Sequence, residues 1–451
     1  MSLMMDYANK IIKAAIAGGF DEAAARVFSC RLSYLKIANS IVDSIVTKVE
    51  ESAELFVSSK KRVFFTNVDR LSNTNIANAI NNAKEGISKL KPKNDYYGIA
   101  EGPFKYAGSK TYDKHIAEYD SGTLADTAYA AINAAISAGS DNVAGTIMMT
   151  EGRAQVATSK GVSEKERFAD ARLSLRAFRK GFSAQNVTTA RHLKELKPEQ
   201  LGRSTAELAG MTNNHSKIDD GIYEIVYMQQ PAGALLSAVN DMACMGNVET
   251  GSFFTGRLGK EVANRNVKIY DDGITSNLVG TERFDDEGFP TKKTLLIGNG
   301  KLLTYLHNFS TATKYKVKST GNAGLVLPSS NIFVMEHSRK AKSLDALVSK
   351  VEKGILITNT WYTRFSNYLT GDFSTVPRDI AIYIEQGEPR FAIKQIGVSS
   401  GVGIRISDNM IRMLKNVDCA AEDTIQTASW DASSCFLTPS VLVKGVRVTT
   451  A

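Results

Sequence analysis

Side chains able to do chemistry are sparse in this chain, and few of them are spaced to act together. The five histidines, His115, His192, His215, His307 and His337, are widely separated, and none has a second histidine at helical or hairpin ligand spacing. A zinc site needs three or four imidazole, thiolate or carboxylate donors converging on one point, and no pair here begins such a set. The four cysteines, Cys30, Cys244, Cys419 and Cys435, stand far apart without a Cys-x-x-Cys pair. That excludes a zinc knuckle and a disulfide framework, and it suits a reducing compartment. There is no Gly-x-Ser-x-Gly, no P-loop and no dinucleotide fingerprint, and Gly401-Val402-Gly403 is too short to count as one. The longest run of carboxylates is Asp285-Asp286-Glu287, a cluster of the kind that takes a metal ion or an amine. Gly288 and Pro290 follow it, so it also reads as a polar turn in which an aspartate caps local amides. Gly321-Asn322 and Gly371-Asp372 read as turns whose glycines allow close backbone approach.

The elements that must position these residues are α+β in character. Tyr7 to Ala17 has apolar residues at helical spacing and ends at Gly18-Gly19. Strands follow at Ala25 to Leu35, Ile41 to Val49, Glu54 to Ser59 and Arg62 to Asn67, then a helix from Asn73 to Leu90. A second round begins with a helix at Ala125 to Ala138. Ala144 to Met149 and Arg153 to Thr158 read as a hairpin turning at Glu151-Gly152, followed by strands at Glu166 to Phe178 and Phe182 to Ala190 and a helix at Pro198 to Met211. The two rounds form a weak internal duplication offset by about 120 residues. The polar stretch Asn213 to Asp220 divides an N-terminal α+β domain, residues 1–215, from a strand-rich α+β domain, residues 216–451. In the second domain the strand Ile222 to Met228 leads into one helix from Ala232 to Met245. Thr294 to Ile297 and Leu302 to Leu306 form a hairpin through Gly298-Asn299-Gly300, where Asn-Gly supplies the positive φ angles of a tight turn. Ser343 caps a helix through Leu344, Leu347, Val348 and Val351, Ser407 caps another through Met413, and strands lie at Ile355 to Thr358, Ile380 to Ile384, Arg390 to Ile396 and Ser440 to Val448.

Bulk composition narrows the function further. At 451 residues, with 43% hydrophobic and 23% charged residues, the chain is an ordinary globular protein of two or three domains. Its 55 Lys and Arg against 47 Asp and Glu give a net charge of +8, yet no basic run reaches the five or six like charges of a dedicated patch. No signal-peptide layout and no apolar run of membrane-spanning length is present, so a cytoplasmic location without membrane contact is expected.

Five blocks in order carry a family resemblance. They are Gly251-Ser252-Phe253-Phe254-Thr255-Gly256-Arg257-Leu258-Gly259, Asp285 to Thr291, Asn299-Gly300-Lys301-Leu302, Thr320-Gly321-Asn322-Ala323 and Thr370-Gly371-Asp372-Phe373-Ser374. From about Tyr223 to Val448 the chain resembles the TldD/PmbA family, once described as modulators of DNA gyrase and understood as metallopeptidase subunits. Catalytic members of that family carry His-Glu-x-x-x-His on the helix after the first strand of this domain. The matching stretch here is Ser237-Ala238-Val239-Asn240-Asp241-Met242, with Ser237, Ala238 and Met242 at the ligand and base positions. The resemblance is therefore to the TldE/PmbA branch. It implies a chain with no cofactor of its own and no catalytic residues, paired with a zinc-bearing TldD-like subunit or with itself, acting on unfolded peptides. It further implies a substrate groove near Ser252, Phe253, Asp285, Asp286, Glu287, His307 and Asp372. Cys435 lies where catalytic members supply a further cysteine, but its spacing to the final strand fits poorly, and it reads as structural.

Two other function classes compete with that expectation. One is a nucleic-acid or gyrase-associated binding protein; the other is a homodimeric hydrolase with an unrecognised site. Scattered lysines and arginines without a recognised module make nucleic-acid binding unlike a shaped interface. Any duplex binding is expected to be weak and to collapse with salt through counterion release. Filter binding across a salt series checks this, and tight binding that persists at physiological salt is the contrary result.

Overall fold

The computed structural model describes residues 6–393, 403–431 and 435–450. Gly401, Val402 and the expected strand end at Lys394 to Ile396 lie outside the described residues. The N-terminal domain is built on six antiparallel strands: β1 (Glu22–Ala38), β2 (Ile41–Ser59), β3 (Arg62–Asp69), β4 (Asn142–Thr158), β5 (Ser163–Arg179) and β6 (Phe182–Ala190). Their spatial order is β3-β2-β1-β4-β5-β6, so β1 and β4 meet at the centre. Each half is the same run of helix, three strands and helix. Tyr7–Ala17 and Asn73–Ser88 flank the first set, and Ser121–Ser137 and Pro198–Ala209 flank the second. Alternating side chains of the strands meet the apolar stripes of these helices, with Ile11, Ala15, Ile76, Ile80 and Ala83 buried against Val27, Leu55 and Val57 in the first half.

The expected hairpin at Glu151-Gly152 is instead the middle of one continuous strand. β4 is laddered on both sides, to β1 and to β5, and those paired backbones hold it straight through the glycine. Gly152 is there for space: a Cβ would come 2.5 Å from the Phe168 ring. Likewise Ile41 to Val49 and Glu54 to Ser59 are a single strand, because β1 pairs along the whole of β2.

The second domain is a large mixed sheet of 15 strands among the described residues. Its axis is the C-terminal strand Cys435–Thr450, which runs parallel to Ile332–His337 on one side and antiparallel to Gly221–Tyr227 on the other. Val267–Asp272 continues the sheet beyond Ile332–His337, and Lys353–Ile357 and Ala381–Glu385 continue it beyond Gly221–Tyr227. His215–Ser216 already pairs with this sheet through Glu388–Ile393. The Gly298-Asn299-Gly300 turn forms as expected, with Asn299 at φ 51° and Gly300 at φ 74°. Ser343 caps its helix by accepting the Ala346 amide, although that helix stops at Val348. Ser407 belongs to the strand Ile404–Asn409, and Asn409 caps the helix Met410–Asn416 in its place.

The helix expected over Ala232 to Met245 is three short ones: Gln229–Leu236, Ala238–Ala243 and Met245–Thr250. Cys244 breaks the line with an extended backbone (ψ 130°), because it forms a bridge to Leu306 and the Met245 amide bonds the Leu306 carbonyl. No helix among the described residues is long and apolar enough to cross a membrane. The two domains also share packing, since Leu201, Ala206 and Ala184 belong to the same buried cluster as Leu356, Ile382 and Leu442.

The helix Gln229–Leu236 sits on the axial strand through Gly233, where an added Cβ would meet the Phe436 ring at 1.9 Å. Gly233→Ala is therefore expected to destabilise by about 1–3 kcal/mol through overpacking. Gly108→Ala, with nothing within 4 Å of its Cβ, should stay within about 0.5 kcal/mol of the parent. Urea unfolding midpoints compare the two.

Candidate functional site

The site is organised around a carboxylate that has no access to solvent. Asp271 is the penultimate residue of the strand Val267–Asp272 and is fully buried. Its Oδ1 accepts the Asn240 side-chain amide at 3.1 Å and the Asn331 backbone amide at 2.7 Å. Its Oδ2 accepts the side-chain amides of Asn322 at 2.7 Å and Asn331 at 2.8 Å. Burial pushes the Asp271 carboxyl up to about 6 even against these four donors. One buried group thus ties the helix Ala238–Ala243, which carries Asn240, to the Thr320–Ala323 block and to the start of Ile332–His337.

The acidic turn hangs from the same block. Asp285 Oδ1 accepts the amides of Glu287 at 3.1 Å and Phe289 at 2.8 Å, and its Oδ2 accepts the Ala323 amide at 2.9 Å. The turn reading of Asp285-Asp286-Glu287 is what the hydrogen bonds show, with the aspartate capping local amides, while Asp285 and Asp286 also line a cavity. Gly288 has φ 71°, and Val162 of the N-terminal domain lies where its Cβ would be, at 2.3 Å. Phe284 and Phe289 pack on Tyr106 and Phe104. The Tyr106 hydroxyl donates to the Gly288 carbonyl at 2.8 Å. Burial raises the carboxyls of Asp285 and Glu287, and the repulsion of each by the other raises Glu287 further.

Between these elements lies a cavity of about 390 Å³ at the seam of the two domains. Arg26 enters it from β1, bonding Glu282 at 2.6 Å and pairing with Asp286. Ser237, Asp241 and Cys435 also line it. Cys435 thus sits with the motif residues despite its spacing in sequence, because the axial strand begins there. Its thiol is pushed up to about 12 by burial, and it donates to Gln426 Oε1 at 3.3 Å. Arg26, Glu282 and Asn331 were not expected from sequence. The one usable signal was an arginine inside the otherwise small and apolar run Ala23 to Val27.

The remaining expected groove residues lie elsewhere. Ser252 is buried and donates to the Met242 carbonyl at 2.8 Å, and Phe253 is fully buried between Phe254 and Phe365. Gly371 packs directly on the Phe253 ring, and Asp372 accepts from Asn409 at 2.8 Å and Thr370 at 2.6 Å. These two blocks therefore meet each other in the core and at a turn, not on the cavity wall. His307 is buried behind the acidic turn, with Nδ1 3.2 Å from the Thr311 hydroxyl, and desolvation lowers its imidazole to about 4.

The donor chemistry at the motif positions does not fit zinc. Ser237 offers a hydroxyl, Ala238 a methyl and Met242 a thioether, and a thiol held near 12 is a poor ligand in its protonated form. Among the described residues no three His, Cys, Asp or Glu side chains come together closely enough to hold a metal ion.

Beside the cavity, Glu166 accepts the Arg283 amide at 3.2 Å, and burial with the nearby Glu282 charge raises it to about 7. A carboxyl whose folded value lies above its unfolded value of about 4 loses stabilisation as pH rises between the two. Stability is therefore expected to fall from about pH 5 to pH 8, and Glu166→Gln should flatten that fall. Thermal unfolding of both proteins at the two pH values measures the difference.

Comparison with known proteins fits this fold and its second domain. Residues 220–450, just over half of the chain, match the family model for the PmbA/TldA metallopeptidase C-terminal domain. An uncharacterized protein of Methanocaldococcus jannaschii is 22% identical over 97% of this chain and 98% of its own. A metalloprotease TldD homolog of Buchnera aphidicola is 31% identical over 37% of this chain, which spans 36% of that relative. The crystal structure of TldE from Thermococcus kodakarensis superposes with a TM-score of 0.83 at 18% identity, covering 98% of this chain and all of that one. The chain belongs to the PmbA/TldD family of metallopeptidase-related proteins.

Proposed function

We propose that this chain is a TldE/PmbA-type subunit of a TldD/TldE-type metallopeptidase complex that degrades unfolded peptides in the cytoplasm. The observation that carries the reading is the wall of the domain-seam cavity. The helix that bears His-Glu-x-x-x-His in catalytic members presents Ser237 and Asp241 to it, with Ala238 and Met242 at the other motif positions. Metal-assisted peptide hydrolysis needs an ion to acidify water and a base to take its proton. Neither a hydroxyl nor a methyl group does either job. In this reading the zinc and its glutamate belong to a TldD-like partner, and this chain supplies scaffold and peptide-handling surface. The extended, sheet-rich second domain suits substrates that add to a sheet edge through backbone hydrogen bonds, which tolerates many sequences.

A self-sufficient homodimeric hydrolase and a nucleic-acid-binding protein are the competing readings, and one experiment separates them. Unstructured peptides are incubated with this chain, with a zinc-bearing TldD-like subunit from the same genome, and with both. Cleavage is expected only when the partner is present, enhanced on mixing and abolished by chelator. Chelator-sensitive cleavage by this chain alone would favour the self-sufficient hydrolase. No enhancement on mixing would leave a binding role only.

A further inference from the structure

We infer that the cavity at the domain seam is a subsite for an organic cation, the ammonium or guanidinium head of a basic side chain on an extended peptide. The peptide part of this inference rests on the proposed function; the cation part does not. The walls are anionic beyond what the protein neutralises itself. Asp241, Glu282 and Asp286 all line the cavity, and Arg26 is the only cationic side chain among its lining residues. Arg26 is engaged by Glu282 at 2.6 Å and by Asp286. Asp241, which also lines the cavity, is exposed, accepts the Ser330 hydroxyl at 2.5 Å, and forms no ion pair among the described residues.

A second observation is independent of these charges. Asn322 lines the cavity and is only 2% exposed. Its Nδ2 is committed to Asp271 and to the Ser329 carbonyl at 3.0 Å, which fixes the amide plane, while its Oδ1 has no hydrogen-bond partner. Buried acceptors are rarely left unmet, and Asn322 is one of the residues that line the cavity. A ligand N–H supplies that donor, while an anion or a neutral apolar group does not.

The shape of the donor set decides which cation. No three carboxylate, thiol or imidazole groups among the described residues converge closely enough for a metal ion. A larger cation with several N–H groups can span separated acceptors. Val279, Ile332 and Phe333 add an apolar strip to the same wall, and a lysine or arginine stem packs on such a strip while its head meets carboxylates. That strip favours a basic side chain over a chain terminus, which has no stem.

Calorimetric titration of the isolated full chain with Nα-acetyl-lysine methylamide tests the assignment. Acetyl-norleucine methylamide serves as the uncharged isostere, and norleucine methylamide with a free amine represents a chain terminus. The lysine probe is expected to bind on the order of tenfold more tightly than either norleucine compound. Asp241→Asn and Glu282→Gln should each weaken it by a similar factor, with unfolding midpoints unchanged for Asp241→Asn. Absence of binding, equal binding of lysine and acetyl-norleucine probes, tighter binding of the free-amine norleucine probe, or full affinity in Asp241→Asn would each overturn it. The titration needs neither partner nor cleavage, so its failure leaves the peptidase reading standing, and absence of peptidase activity leaves the cation subsite standing.

Discussion

Burial of the Asp271 carboxylate constrains everything around the candidate site. An ionisable group without solvent is tolerable only if its oxygens are met by donors. Asn240, Asn322 and Asn331 supply them from three separate elements. Because Asn322 precedes Ala323, whose amide bonds Asp285, the position of the acidic turn follows from that of Asp271. Because Gly288 of that turn packs on Val162, and Arg26 reaches Glu282 and Asp286, the placing of the N-terminal domain follows in turn. A change at Asp271 would therefore be felt across the domain seam and not only in its own strand.

This arrangement separates scaffold from chemistry. The helix, the acidic turn, the Thr320–Ala323 block and the start of the axial strand meet around one cavity. The side chains presented there are a different matter, since Ser237 offers a hydroxyl and Ala238 a methyl. The functional reading therefore rests on donor chemistry at Ser237, Ala238, Asp241 and Met242.

Local features were legible in the sequence because local physics decides them. Tyr7–Ala17 shows its apolar stripe, Asn299-Gly300 demands a tight turn, and Ser343 caps a helix wherever the chain goes next. Features set by partners distant in sequence were not legible. Glu151-Gly152 looks like a turn until strands on both sides hold it extended. The helix after Tyr227 looks continuous until Leu306 draws Cys244 out of it. The same limit governs the site. The acidic turn announced itself as a charge cluster, whereas Arg26, Glu282 and Asn331 are ordinary surface-type residues until the fold gathers them. Ser252 and Phe253 belong to a recognisable block, but their work is packing against Phe254, Phe365 and Gly371.

Metal content bears most directly on the claim that this chain lends structure, not chemistry, to a peptidase. Elemental analysis of the purified chain after mild dialysis, alongside any complex captured with the proposed TldD-like partner, separates the alternatives. The account predicts zinc in the complex, in proportion to the partner, and none in stoichiometric amount in the isolated chain. About one zinc per isolated chain would contradict it, because no donor set described around Ser237 and Asp241 is of the kind that holds that ion.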